Sequence, residues 1–276
     1  MSGNPLAVLK FVLTALLALA LLVFVVTLSQ EQILFPTDAV PPAGPLPRGA
    51  ERLAIDTAGG DTLHGVHLSP GGDGQGPTVL ILAFGGNAWN AQHAAEYLHE
   101  VFPEAHVVAF HYRGYRPSTG SPSAKALIED APLIYDLAVE RVKAEKIVAV
   151  GFSIGSGVAA SLSQSRAVDG LILVTPFDSL KAVAAGLFRW LPVGPLFRHE
   201  LATADYLKGW DGAVAIVAAE RDDIVPPART EALRGQVPNL AFDHIIRGAG
   251  HNDIYGRSDF QLAMSAALDA VVSDQK

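Results

Sequence analysis

The chain has 276 residues, half of them hydrophobic and only 17% charged, with no cysteine and a formal net charge of −8. The apolar content excludes a disordered chain, and the acidic balance argues against a nucleic-acid binder, which needs a basic surface to meet phosphates. Without cysteine there is no disulfide framework, zinc knuckle or thiol nucleophile, and the length suits one large domain or two small ones.

The first element is apolar on every face. Phe11 to Leu28 runs 18 residues without a charge, spanning about 27 Å as a helix, close to a bilayer's hydrocarbon core. Leu6 to Leu9 can extend it, with Lys10 snorkelling toward the interface. A cleavable signal peptide is the rival reading. Its apolar region is normally shorter, and Thr27-Leu28-Ser29 is a poor cleavage site, so a retained anchor over residues 1–30 is expected. Lys10 and the amino terminus precede the span, Glu31 and Asp38 follow it, and the first arginine is Arg48. That bias puts the N-terminus in the cytoplasm and the remainder outside, periplasmic or luminal. Residues 36–50 hold five of the 18 prolines, so 31–50 reads as a stiff linker or a strand-free wrap on the domain that follows.

From residue 51 onward, strand-length apolar runs alternate with amphipathic stretches. Arg52–Thr57 and Leu63–Leu68 flank Gly59-Gly60-Asp61-Thr62 and read as an edge hairpin. Six further strands are expected at 78–84, 106–112, 146–152, 170–176, 213–219 and 240–246. The first five of these are nearly unbroken Val, Ile, Leu and Ala, the pattern of a parallel sheet buried on both faces. Helices are expected near 88–101, 122–143, 154–165, 179–190, 227–236 and 257–272. The order implies a mostly parallel, doubly wound α/β sheet of about eight strands over 51–276, with any site at the carboxyl ends of its strands.

One motif stands at such an end. After the strand IVAV comes Gly151-Phe152-Ser153-Ile154-Gly155, followed by a helix pattern. G-x-S-x-G between strand and helix forces the serine into a strained turn, with its hydroxyl above the sheet at a helix N-terminus. Serine needs a general base. Most of the nine histidines fall on strand or helix patterns, but His251 lies in the glycine-rich loop Arg247–Asp253 after the last strand. The orienting acid belongs between serine and histidine, after the strand at 213–219. Asp222 is the choice; Asp223 is its rival, and Asp178 is a third candidate better explained as a helix cap. The main-chain N–H of Ile154 is the first oxyanion donor, and that of Asn87, or Ala88 beside it, in Gly85-Gly86-Asn87-Ala88 is the second.

These residues resemble the α/β-hydrolase superfamily, and most of all its single-pass membrane-anchored branch of depalmitoylase and lysophospholipase-like members, often labelled serine aminopeptidase-like hydrolases. The likeness runs from Gln32-Ile33-Leu34-Phe35-Pro36 through Gly86-Asn87-Ala88, Tyr112-Arg113-Gly114-Tyr115, Ser118-x-Gly120-x-Pro122-Ser123 and Gly151–Gly155. It continues through Asp222-x-x-Val225-Pro226 to Gly250-His251-Asn252-Asp253. Gly85, Trp89, Arg116 and Ala124 depart from the family pattern. Trp89 and Arg116 flank the expected site and, with Phe188 and Trp190, are candidate pocket residues.

The resemblance implies a hydrolase with Ser153 as nucleophile, His251 as base and Asp222 as orienting acid, with no metal or cofactor. Only about 35 residues separate the strand at 170–176 from the next one, so the cap is small. Its residues Leu187, Phe188, Trp190, Leu191, Leu196 and Phe197 are apolar, as an acyl-chain groove or membrane-facing patch would be; packing on the core explains them equally well. An ester or thioester hydrolase acting on a lipid-like or small acyl substrate is expected first. A peptidase would need an acid for the substrate's amino terminus, for which Glu200 is the candidate in the short cap. A non-enzymatic binding module is third. No oligomeric state is specified.

Overall fold

The computed structural model describes residues 4–72, 77–189 and 193–273. The first helix, α1 (Pro5–Leu28), is capped by Asn4, whose side chain accepts the Leu6 N–H at 3.1 Å. Every expected apolar residue lies within it, and none of its residues is buried. Its mean hydropathy of 2.9 and its length, about 36 Å at helical rise, suffice to cross a membrane.

A short helix α2 (Gln30–Leu34) follows directly. The Gln30 side-chain amide holds the cap from both sides: its Nε2 donates to Leu196 O at 2.8 Å, and its Oε1 accepts the Arg198 N–H at 3.0 Å. Phe35 is buried in the main core, 2% exposed. The proline-rich stretch then wraps the domain, where Asn90 Nδ2 donates to Pro41 O at 3.0 Å and Gln92 Nε2 to Gly44 O at 3.3 Å. A wrap, rather than a free linker, is therefore the form residues 36–50 take.

Eight strands form one sheet. They are β1 (Glu51–Asp56), β2 (Thr62–Leu68), β3 (Val79–Phe84), β4 (His106–Phe110), β5 (Lys146–Phe152), β6 (Gly170–Val174), β7 (Ala213–Ala219) and β8 (Leu240–Ile246). Their order is β1-β2-β4-β3-β5-β6-β7-β8. The β1–β2 and β2–β4 pairs are antiparallel, and every other pair is parallel.

The helices divide between the two faces. Alternate residues of the central strands point to opposite cores, as pleating requires. Leu80, Leu82, Leu171 and Leu173 meet α4 (Ala124–Val142), α5 (Ile154–Leu162), α6 (Leu180–Leu187), α8 (Thr203–Leu207) and α9 (Pro227–Arg234) in one core. Ile81, Ala83, Val148, Val150 and Ile172 meet α3 (Ala91–Val101) and α10 (Ser258–Val272) in the other. Two-sided burial is why these strands carry no polar face. The two edge strands are the exceptions: Glu51, Arg52 and Asp56 of β1 and Asp243, His244 and Ile245 of β8 are exposed. In the cap, α6 is followed by the four-residue α7 (Val193–Leu196).

Candidate active site

The turn from β5 into α5 carries Ser153 at φ 51°, ψ −116°. A non-glycine residue there bears strain of about 1–3 kcal/mol. The surrounding contacts enforce it. Ser153 N–H donates to Val174 O at 2.9 Å, while Ser156 donates to Ser153 O through its N–H at 2.9 Å and its hydroxyl at 2.6 Å. Both motif glycines are compulsory for close approach. A Cβ on Gly151 would lie 2.3 Å from Gly155 O, and one on Gly155 would lie 2.0 Å from Phe84 O. Ile154 is the first residue of α5, so its N–H has no acceptor within the helix.

His251 and Asp222 are brought into contact by two loops that pair with each other. Glu220 N–H donates to Ile246 O at 3.1 Å, Arg221 N–H to Ala249 O at 2.8 Å, and Gly248 N–H to Glu220 Oε2 at 2.7 Å. His251 Nδ1 then lies 2.9 and 2.8 Å from the two Asp222 oxygens. Asp222 Oδ1 also accepts the Ile224 N–H at 3.0 Å and the Val225 N–H at 2.7 Å. Both side chains are buried. A carboxylate can only accept, so Nδ1 carries a proton, and in the neutral imidazole this leaves the lone pair on Nε2.

The rival acids lie elsewhere. Asp223 is exposed, and Asp178 pairs with Arg229 Nη1 at 3.2 Å. Asp178 is also not the helix cap: Ser179 caps α6 by accepting the Ala182 N–H at 3.1 Å.

The loop after β3 faces Ser153 across the site, where a Cβ on Gly86 would lie 3.9 Å from Ser153 Cβ. Its carbonyls are held from behind. Tyr112 donates its hydroxyl to Gly85 O at 2.9 Å, Trp89 N–H donates to Gly86 O at 3.2 Å, and Tyr115 donates to Asn87 O at 2.7 Å. In a trans peptide the N–H opposes the C=O. Pinning Gly86 O and Asn87 O therefore sets the directions of the Asn87 and Ala88 N–H groups. Asn87 Nδ2 donates to Leu34 O at 3.3 Å, so its side chain is engaged with α2. Burial pushes the Tyr112 and Tyr115 phenols above their usual range, which keeps both as O–H donors. The two tyrosines belong to a motif visible in the sequence, but nothing there assigns them to this loop.

Ser153, Ile154, Asn87 and His251 line one cavity of about 470 Å³. Trp89 and Phe188 line it too. Trp89 forms its aromatic floor, with ring centroids 4.9 Å from Phe152 and 5.0 Å from Tyr255. Leu187 is 49% exposed and Phe188 37%, so these cap residues face outward instead of filling the core.

Arg116 is not at this cavity. Tyr115 turns inward to Asn87, and the next residue turns away into a separate cavity of about 500 Å³ beside His64 and His111. Trp190 lies outside the described residues. Glu200 accepts from the Ser179 hydroxyl at 3.1 Å and the Lys181 N–H at 3.3 Å, and so serves the start of α6. Among the described residues, no three histidine, aspartate or glutamate side chains converge as a metal site would require.

Comparison with known proteins agrees with this architecture. Residues 77–204 match the family described as alpha/beta hydrolase fold, a stretch that includes Ser153 and stops before Asp222 and His251. The uncharacterized protein Rv2307c of Mycobacterium tuberculosis is 30% identical over 252 residues, covering 87% of this chain and 86% of that protein. Lysophosphatidylserine lipase ABHD12 of Danio rerio is 28% identical over 170 residues, which cover 54% of this chain and 44% of that lipase. The chain thus spans less than half of that relative's length. Among solved structures, the Pyrococcus furiosus esterase Pf2001 superposes with a TM-score of 0.67 at 17% identity, over 85% of this chain and 97% of the esterase. With fold and sequence in agreement, the chain belongs to the alpha/beta hydrolase family.

Proposed function

We propose that the protein is a serine hydrolase that cleaves carboxylic-ester or thioester bonds in lipid-like or acylated substrates. One observation carries this reading: Ser153, strained at the head of α5, shares a cavity with His251, whose Nδ1 lies 2.8 Å from the buried Asp222.

His251 Nε2 takes the Ser153 proton as Oγ attacks the acyl carbon. Asp222 holds the tautomer and stabilises the imidazolium. The N–H groups of Ile154 and Asn87 hold the oxyanion. His251 protonates the departing alcohol or thiol, and water, deprotonated by the same imidazole, releases the acid and restores Ser153. The preference for a lipid-like substrate is supported by the apolar cavity wall of Phe177, Leu180, Val183 and Phe188, and by the lysophosphatidylserine lipase among the relatives.

In this reading residues 1–30 form a retained anchor, 31–50 lead into the domain and 51–276 form the catalytic unit. Lys10 before the span and the absence of any Lys or Arg between it and Arg48 set the N-terminus in the cytoplasm and the domain outside.

The test is a matched panel on the full chain and its Ser153→Ala variant, covering esters of rising acyl length, acyl thioesters and aminoacyl amides, with fluorophosphonate labelling. Wild type should cleave esters or thioesters and label; Ser153→Ala should do neither. Labelling that survives the substitution, or cleavage of amides alone, would overturn the assignment.

A further inference from the structure

A second, narrow groove of about 60 Å³ lies between the end of α1 and the cap. Val23, Val26 and Thr27 of the apolar helix form one wall, and Leu196 and Phe197 belong to the other. Ile33, Leu34, Ala184 and Phe188 line both this groove and the Ser153 cavity. The two spaces are therefore neighbours across a single layer of apolar side chains.

The groove is almost wholly apolar, and it lies beside the last turns of a helix long enough to span a bilayer. Such a wall sits at the depth of lipid chains. The arrangement is also fixed, because Gln30 hydrogen-bonds to both sides of residue 197, at Leu196 O and Arg198 N–H. A clamp of two hydrogen bonds, placed one turn beyond Val26, holds α1 against the cap at the point where the groove runs.

We infer that the last two turns of α1 form the distal wall of the acyl site, so that a long acyl chain lies along Val23 and Val26, passes Phe188, and presents its ester carbonyl to Ser153. The occupant is the acyl chain of a lipid drawn from the leaflet on the domain's side. This inference rests on the hydrolase reading, and it gives the span a part in substrate binding beyond attachment. A short acyl group fits inside the Ser153 cavity and makes no use of α1; a long one needs the groove.

Two arms test it on the full chain in dioleoylphosphatidylcholine vesicles. In the first, p-nitrophenyl palmitate and p-nitrophenyl butyrate are compared for wild type, Val26→Trp and Gln30→Ala. Val26→Trp fills the groove from an accessible helix face, and the palmitate-to-butyrate ratio of kcat/KM should fall about tenfold, equivalent to losing about two buried methylenes. Gln30→Ala should lower the same ratio about threefold by releasing the clamp. Equal losses on both esters, or an unchanged ratio, would overturn the inference.

The second arm needs no turnover. Ser153→Ala protein is exposed to a palmitoyl lysophosphatidylcholine whose chain carries a diazirine, and labelled peptides are mapped. Label on Phe188 and Leu196 as well as on α1 is expected, and Val26→Trp should remove the cap label while leaving that near Leu17. Label confined to α1 would overturn the inference. If wild type cleaves no ester at all, the hydrolase reading fails, and this arm alone decides the groove.

Discussion

Asp222→Asn separates the chemistry of the site from its architecture. Asp222 Oδ1 accepts two backbone N–H groups, at 3.0 and 2.7 Å, and both oxygens lie within 2.9 Å of His251 Nδ1. The two N–H groups demand an acceptor, so the asparagine oxygen takes the Oδ1 place and its NH₂ the Oδ2 place. That sets a donor against the Nδ1 proton. The imidazole relieves the conflict by carrying its proton on Nε2 instead, which removes the lone pair that should deprotonate Ser153.

A tautomer error of this kind costs roughly 10⁴ in rate in a comparable triad, about 5.5 kcal/mol of transition-state stabilisation at ~1.36 kcal/mol per decade. The fold loses far less. One charged hydrogen bond becomes neutral, for about 1–2 kcal/mol, a change of a few degrees in Tm. The assay is kcat/KM for p-nitrophenyl butyrate beside thermal unfolding in the same detergent, with Asp223→Asn as the matched change at the exposed neighbour. Asp222→Asn should fall by about four decades and Asp223→Asn by less than about threefold. An Asp222→Asn rate within tenfold of wild type, or an equal loss in Asp223→Asn, would refute the reasoning.

Two further predictions concern groups outside the Ser153, His251 and Asp222 set. Tyr115→Phe deletes the hydroxyl that holds Asn87 O, and should lower kcat roughly tenfold while KM stays within about twofold, at a stability cost of about 1 kcal/mol; a raised KM with unchanged kcat would mean that Tyr115 shapes the pocket instead. His111 is buried, which pushes its imidazole down from 6.5 to about 4, with His64 and His93 adding to the effect. The unfolded chain therefore binds the proton first as pH falls, and stability drops between about 6.5 and 4, by about 2 kcal/mol at pH 5 relative to pH 8. Urea midpoints at the two pH values should converge in His111→Gln, and identical slopes for both proteins would dismiss the assignment.

The sheet was legible because burial on both faces leaves its mark on every residue of a strand. Runs such as Val79–Phe84 and Ala213–Ala219 have no polar alternative to confuse them. The short cap helices over 193–196 and 203–207 were not legible, since four or five residues are too few to show a helical period. Helix α3 starts at Ala91 rather than near 88 because Asn90 is its cap, and the residues before it form the loop facing Ser153.

Within the site, the choice between Asp222 and Asp223 turns on burial and two backbone N–H groups, neither of which adjacent identical residues can reveal. Tyr112 and Tyr115 act on carbonyls 27 and 28 residues away, a relation set by the β3–β4 pairing. Arg116, next to Tyr115 in the chain, lines a different cavity because the chain turns over Tyr115–Ser118, where Ser118 N–H donates to Tyr115 O at 2.8 Å.

In the function proposed above, the Gln30 clamp alters the units in which the protein meets its substrate. With α1 in a bilayer and a lipid-borne ester as substrate, as proposed above, Ser153 would not search the surrounding water. It would encounter molecules that diffuse in two dimensions past a fixed point. Turnover then follows the mole fraction of substrate in the surface, so diluting the vesicles leaves it unchanged, whereas diluting the substrate with inert lipid lowers it.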